Sequence, residues 1–482
     1  MPSPVCLEIG PAGQGGFHPH DYVRRSRDRQ IDIAAGFDPS RFDQHTCAHR
    51  EGIRSFGGTF ASNVYAFSGK TYRLRYKFHG RLLYVHDEAN ARTGGQRESE
   101  RITGVNCIDT PGAGRYRFHM LIFDGDYPMS YGGVELNRDL TLPLAGVRAA
   151  DGDSGNVAFA CLPEMRRGRV AAALMKFCVR RKRENSILSG LRGSAAVYGA
   201  ARGQLAYYQM LAEQGEGVVL THGEALAGHV EVWEKAEDTE GLPVGFIIGM
   251  EGADPILRPD QVHEWFEYGV RVVSLTHYGP STYAHGTGSE GGLFASAGDL
   301  LREMSACGML LDLTHISDVS FFEAVDRYEG PVLASHQNCR ALVPGQRQFS
   351  DEQLRIVIER GGVIGASMDT WMLCPWYALD WSNTGGYNRR DHFRREDITL
   401  NHVADHIDHV CQLAGNADHA AIGGDTDGQG GIDGAPCEVD SIADYQLLDP
   451  ILEGRGYDRD DIEKIMYRNW VRFYTDHLPM NG

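Results

Sequence analysis

Long apolar runs are missing from this sequence: no stretch reaches the roughly 18 residues that a bilayer-crossing helix needs, so no membrane span is predicted. Paired cysteines are missing too. The ten Cys include no Cys-x-x-Cys spacing, and the stretch from Met1 to Phe17 has neither a cationic lead nor an apolar centre, which predicts a reducing, cytoplasmic setting. Proline is scarce, 19 residues beside 59 Gly with no three-residue repeat, and this excludes a collagen-like chain. An apolar content of 42% over 482 residues excludes disorder throughout and a small disulfide scaffold. Positive charge is also in short supply: 47 Lys+Arg against 65 Asp+Glu leave a formal charge of −18. Such a chain repels a phosphate backbone or an anionic bilayer. The expected partner is a small molecule, with no nucleic acid and no membrane.

The charge is unevenly spread. Residues 1–119 hold 17 Lys+Arg, only two of them Lys, and 12 Asp+Glu, whereas residues 120–482 hold 30 and 53. The first part mixes Gly, Arg, His and Ser clusters with one strand-like patch, Thr71 to Val85, and shows no sustained period. It is predicted to be a low-order basic extension, even coding sequence ahead of a true start at Met120, because too little apolar surface is available to offset ordering entropy.

From Met120 onward the pattern is regular. Apolar runs of strand length (Val170–Val179, Val244–Met250, Val270–Leu275, Met309–Leu313, Val332–Ala334, Val363–Ala366, Ala420–Ile422) are separated mostly by helical stretches. Those stretches are Gly193–Gln214, Ala297–Cys307, Asp318–Tyr328, Ser350–Arg360 and Thr399–Leu413, several opened by Ser, Thr or Asp and closed by Gly. Strands apolar on both faces and alternating with helices predict an α/β fold, a (β/α)8 TIM-type barrel over residues 120–482.

The residues at the ends of these strands carry the chemistry. The runs end in Glu251, His277, His315, His336 and Asp425. In a parallel barrel these ends open on one rim, where such folds place their sites. Imidazoles and carboxylates without thiolate suit a catalytic zinc or similar divalent ion. His315 and His336 offer neutral nitrogens, Glu251 a carboxylate able to bridge, and Asp425 a group that can both ligate and take a proton from water.

At these residues the sequence resembles the membrane (renal) dipeptidase family of metallopeptidases, within the amidohydrolase-like barrels. The carrying segments are GMEGADP at 249–255, RVVSLTH at 271–277, GMLLDLTHIS at 308–317, ASHQNCRAL at 334–342 and DHAAIGGDTDG at 418–428. The resemblance implies zinc-dependent hydrolysis of a dipeptide's peptide bond by metal-activated water. It implies a bridge at Glu251, ligands at His315, His336 and Asp425, an oxyanion-side His277, and Arg347 clamping the substrate carboxylate. The family's first-strand Asp-Gly-His-x-Asp reads here Asp124-Gly125-Asp126-Tyr127-Pro128. Asp126 is therefore the candidate replacement ligand for a second ion, and Pro128 has no side-chain donor. That departure opens two alternatives: a mononuclear hydrolase of another small amide or lactone, and a catalytically silent ligand-binding barrel. A homodimer is expected by analogy with barrels that pair through surface helices.

Three further signals are read as lying outside the metal site. His402, His406 and His409 lie on one predicted helix with a packing role, and the run Arg180 to Arg183 reads as a solvated or salt-bridged loop. The stretch Trp371 to Trp381 reads as a lid over the rim.

Overall fold

The computed structural model describes the backbone of Ser62–Phe67, Lys70–Tyr76 and Leu83–Asp87, and residues 120–152, 157–183, 188–376, 394–427 and 431–480. The chain separates into two units, Met1–Val105 and Asn106–Gly482. In the first, β1 (Ser62–Phe67), β2 (Lys70–Tyr76) and β3 (Leu83–Asp87) pair antiparallel in that order, with Tyr65 opposite Tyr72 and Leu74 opposite Val85. The strand-like patch at 71–85 runs along β2 and β3. The remainder of the extension expected over 1–119 lies outside the described residues.

The second unit is built on parallel strands: β4 (Ile122–Tyr127), β5 (Val170–Phe177), β6 (Gly217–Val219), β7 (Val244–Glu251), β8 (Val270–Ser274), β9 (Leu310–Asp312), β10 (Val332–Leu333), β11 (Ile364–Ala366) and β12 (Ala420–Ile422). Their order is β4-β5-β7-β8-β9-β10, with β6 beside the start of β7. A parallel bridge from Ala334 to Ile364 hands β10 on to β11, which pairs with β12. The ring returns to β4 where Asp425 N–H donates to Asp126 O at 3.0 Å. The result is the predicted TIM-type α/β barrel. β4, β5, β7 and β8 are buried along their whole length, as strands between a packed interior and a helical coat must be.

Observed boundaries match the predicted runs within a residue or two. The helices Ser194–Glu213, Ala297–Cys307, Asp318–Arg327, Asp351–Glu359 and Leu400–Ala414 form the coat. Ser350 and Gln353 make a reciprocal cap, and Gly308 and Gly415 close their helices at φ +78° and +75°, a conformation glycine adopts without strain. Sequence reasoning passed over β6 and the helices Gly223–Lys235 and Asn469–His477. The last of these braces β12 through Trp470 Nε1–H, which donates to Ile422 O at 2.8 Å. Among the described residues no helix is long and apolar enough to cross a membrane.

Closure demands small residues. A Cβ at Gly365 would stand 2.1 Å from Ser335 O and 2.8 Å from Gly423 Cα, and one at Gly423 would stand 2.3 Å from Ser335 O. All these neighbours are backbone and cannot swing aside. Gly365→Ala is therefore expected to cost about 3 kcal/mol, the upper part of the overpacking range, read as a lowered urea midpoint at unchanged slope. An unaltered midpoint would show that β10, β11 and β12 separate freely.

Candidate metal centre

Each predicted site residue except Arg347 and Asp126 sits at or just beyond the carboxyl end of a barrel strand. Glu251 closes β7, His277 lies beyond β8, His315 beyond β9, His336 beyond β10, and Asp425 beyond β12. Asp126 lies within β4, one residue before its end, at a bulge: Asp124 pairs with Ala173 and Tyr127 with Met175, so β4 carries one residue more than β5 there. Such a bulge re-aims the side chain it holds.

The structure brings these groups together. His315 Nε2 and His336 Nε2 face each other at 3.0 Å, and Glu251 Oε1 lies 3.6 Å from the first and 3.5 Å from the second. Donors each about 2.0–2.2 Å from one ion stand roughly 3–3.5 Å apart, so the three atoms match the face of a single divalent cation. Asp425 Oδ2 is 3.7 Å from His336 Nε2, and Asp126 Oδ1 is 3.3 Å from His336 Nδ1. Among the described residues, three overlapping donor groups result: Glu251, His315 and His336; Asp126, His336 and Asp425; and Cys178, Glu251 and His277.

Protonation states favour the first two groups. Burial, then the Arg347 charge, holds the His315 imidazole well below its ordinary range, and burial likewise lowers His336. Neutral rings of this kind keep the lone pair that a metal requires. Burial pushes the Cys178 thiol up to about 12, so it stays a thiol and a poor ligand. Asp425 is raised well above the usual carboxylate range by burial, then by Asp126, Asp369 and Glu251. Carboxyl groups packed this closely resist ionising together, and a bound cation would favour their charged, ligating form.

Two of the groups are held against backbone preference. His315 has φ +68° and Asp425 φ +58°, a left-handed conformation costing an L-residue about 1–2 kcal/mol. Thr287 N–H donates to His315 O at 2.7 Å, and the Asp425 N–H bond to Asp126 O pins the other. Strain maintained by neighbouring bonds in this way concentrates at working residues.

His277 and Arg347 flank the cluster. Arg180 Nη1 lies 2.6 Å from His277 Nδ1. A guanidinium only donates, so Nδ1 accepts and the ring proton sits on Nε2, 3.7 Å from Glu251 Oε2. Arg347 is buried, donating from Nη1 to Gln337 Oε1 and from Nη2 to His336 O, both at 2.8 Å. Its Nε has no hydrogen-bond partner among the described residues.

Three contributors were not anticipated from sequence. Arg180 belongs to a run read as a solvated or salt-bridged loop; its neighbour Arg183 fits that reading, pairing with Asp254 at 2.8 Å. Lys176 is fully buried in β5, and Asp312 ends β9 behind the ligands. The available signal was a single Lys inside the apolar run Val170 to Val179. Other expectations take simpler forms. His406 Nδ1 accepts Cys339 N–H at 3.0 Å, and His409 pairs with Asp351. Trp371 is buried with Nε1 on Asp369 Oδ2 at 3.0 Å, and residues 377–381 of the expected lid lie outside the described residues.

Comparison with known proteins identifies the family and the fold. The model of the membrane dipeptidase family, peptidase family M19, matches residues 134–477, a span that begins after the altered first strand. An uncharacterized Klebsiella pneumoniae protein from the pqqA 5' region is 31% identical over 181 residues, covering 38% of this chain and 59% of that protein. Dipeptidase tcpJ of Claviceps purpurea is 28% identical over 261 residues, covering 52% of this chain and 56% of its own. The chain thus spans only a little over half the length of these curated relatives. A metallopeptidase from Rhodobacter sphaeroides, solved with a phosphinate mimic of the dipeptide L-Ala-D-Ala, superposes with a TM-score of 0.59 at 21% identity over 75% of this chain and 99% of that one. That likeness is one of fold.

Proposed function

The chain belongs to the membrane dipeptidase family of metallopeptidases, and from that premise we propose that it is a zinc-dependent dipeptidase hydrolysing the peptide bond of dipeptides. The observation that carries the reading is the convergence of Glu251 Oε1, His315 Nε2 and His336 Nε2 within 3.6 Å of one another. A divalent ion held there would polarise the scissile carbonyl and make water acidic enough to attack near neutral pH. The name of the Claviceps relative supports a dipeptide substrate.

The remaining steps belong to side chains. The Arg347 guanidinium, fixed at both terminal nitrogens with Nε–H to spare, offers charge-assisted bonding to the substrate's terminal carboxylate. His277 presents Nε2–H, the tautomer imposed by Arg180, to the oxygen that gains charge as the carbonyl becomes tetrahedral. Asp425 accepts the proton of the attacking water and returns it to the leaving amine. Protein reconstituted with zinc after chelation is expected to cleave dipeptides with a free carboxyl terminus, monitored by amine release. No cleavage across a broad dipeptide panel would end this reading.

Arg347→Ala tests the clamp. A hydrogen bond to a charged group contributes about 1.5–3 kcal/mol, so kcat/KM for free dipeptides is expected to fall about 10- to 150-fold, with a much smaller loss on dipeptide amides. Equal losses on both substrates would remove Arg347 from carboxylate recognition. Asp126 and Pro128 favour a second reading, hydrolysis of another small amide or a lactone, and the same preparation tested on those compounds separates the two.

A further inference from the structure

We propose that the ammonium of Lys176 stands in for the second divalent ion, so that the centre pairs one metal ion with one built-in cation. This rests on the reading of Glu251, His315 and His336 as a metal centre and concerns the charge beside it. A second ion opposite the His315 and His336 side would need the carboxylates of Asp126 and Glu251. Lys176 Nζ already lies between them, 2.8 Å from Asp126 Oδ1 and 3.6 Å from Glu251 Oε1. An ion drawn to the same oxygens would meet a like charge in contact.

The ammonium is built in rather than incidental. Nζ lies 2.8 Å from each of three oxygens: it donates to Ser335 Oγ and forms ion pairs with Asp126 Oδ1 and Asp312 Oδ2. Asp312 is itself immobilised, accepting from Ser274 Oγ at 2.9 Å, Thr314 N–H at 3.0 Å, Ser335 N–H at 3.1 Å and Ser335 Oγ at 2.8 Å. Lys176 extends from β5, which is buried along its whole length, so no solvent path competes for its charge. The first-strand departure then acquires a physical reason. A neutral imidazole at position 126 would leave this buried ammonium with one anion fewer, whereas Asp126 neutralises it. Ser335 Oγ, 2.9 Å from His336 Nδ1, is the hydrogen-bond partner that orients the imidazole, and Asp126 Oδ1 adds negative charge beside that nitrogen at 3.3 Å. Pro128, which has no donor, loses nothing when no second ion is present.

The test is metal stoichiometry, independent of turnover. Chelator-stripped full-length protein titrated with Mn2+ is expected to bind one equivalent and to show the six-line electron paramagnetic resonance spectrum of an isolated ion. Two equivalents with a spin-coupled spectrum would overturn the proposal while leaving the dipeptidase reading intact, and no binding would overturn both. In Lys176→Ala, the carboxylates of Asp126 and Glu251 are released from the ammonium to oxygen-preferring Mn2+, and a second equivalent with a coupled spectrum is expected. Lys176→Arg, which keeps the charge, is expected to stay at one. A folded Lys176→Ala protein that remains at one equivalent would show that something other than the ammonium excludes the second ion. Should that variant fail to fold, the wild-type titration alone decides.

Discussion

His336→Ala is expected to abolish zinc-dependent dipeptide hydrolysis, lowering kcat/KM by roughly 10³-fold or more. The ring is the pivot of the cluster: its Nε2 meets His315, Glu251 and Asp425, and its Nδ1 meets Asp126. Losing it leaves two donors where a catalytic ion needs three from the protein. The electrostatic help such an ion gives amounts to several kcal/mol, at about 1.4 kcal/mol for each factor of ten. His336 suits this test because, unlike His315, it does not hold a positive φ, so alanine changes chemistry without releasing backbone strain. Zinc retention and residual turnover measured on the same sample check it. A variant that keeps a full equivalent of zinc and near-normal turnover would show that the ion lies elsewhere.

Asp425→Asn is expected to lower kcat by about 10²–10⁴-fold, the range for a positioned general acid–base group, with KM little changed. Asparagine keeps the shape and a ligating oxygen, and it is among the residues that tolerate the left-handed backbone found here at φ +58°. The fold and the metal content should therefore survive while proton transfer fails. Steady-state kinetics beside a thermal unfolding curve separate these effects. An unchanged kcat would transfer the proton-handling role to another group.

How much of this was legible beforehand differs from residue to residue. Glu251, His277, His315, His336 and Asp425 could be found because each stands at the end of an apolar run, and parallel strands deliver all such positions to the same rim. The helix Leu400–Ala414 was recognisable from its polar opening and closing Gly415, signals that act within a few residues. β6 escaped because three residues, Gly217–Val219, carry too little pattern to stand out. Arg180 escaped because four adjacent basic residues look alike in sequence, yet only the fold sends one of them to His277, 97 positions away.

The amino-acid order by itself thus determined the barrel, its alternating layers and the donor types at the strand ends, since strand and helix periods and the direction of a parallel strand are local properties of the chain. The tertiary structure alone decided what surrounds those donors. It set Lys176 against Asp126 and Asp312, 50 and 136 residues away along the chain, and it turned a lone lysine in an apolar run into the neutralising charge of the centre. Electrostatic energy depends on distance in space, and no periodicity in the sequence reports which buried charges will meet.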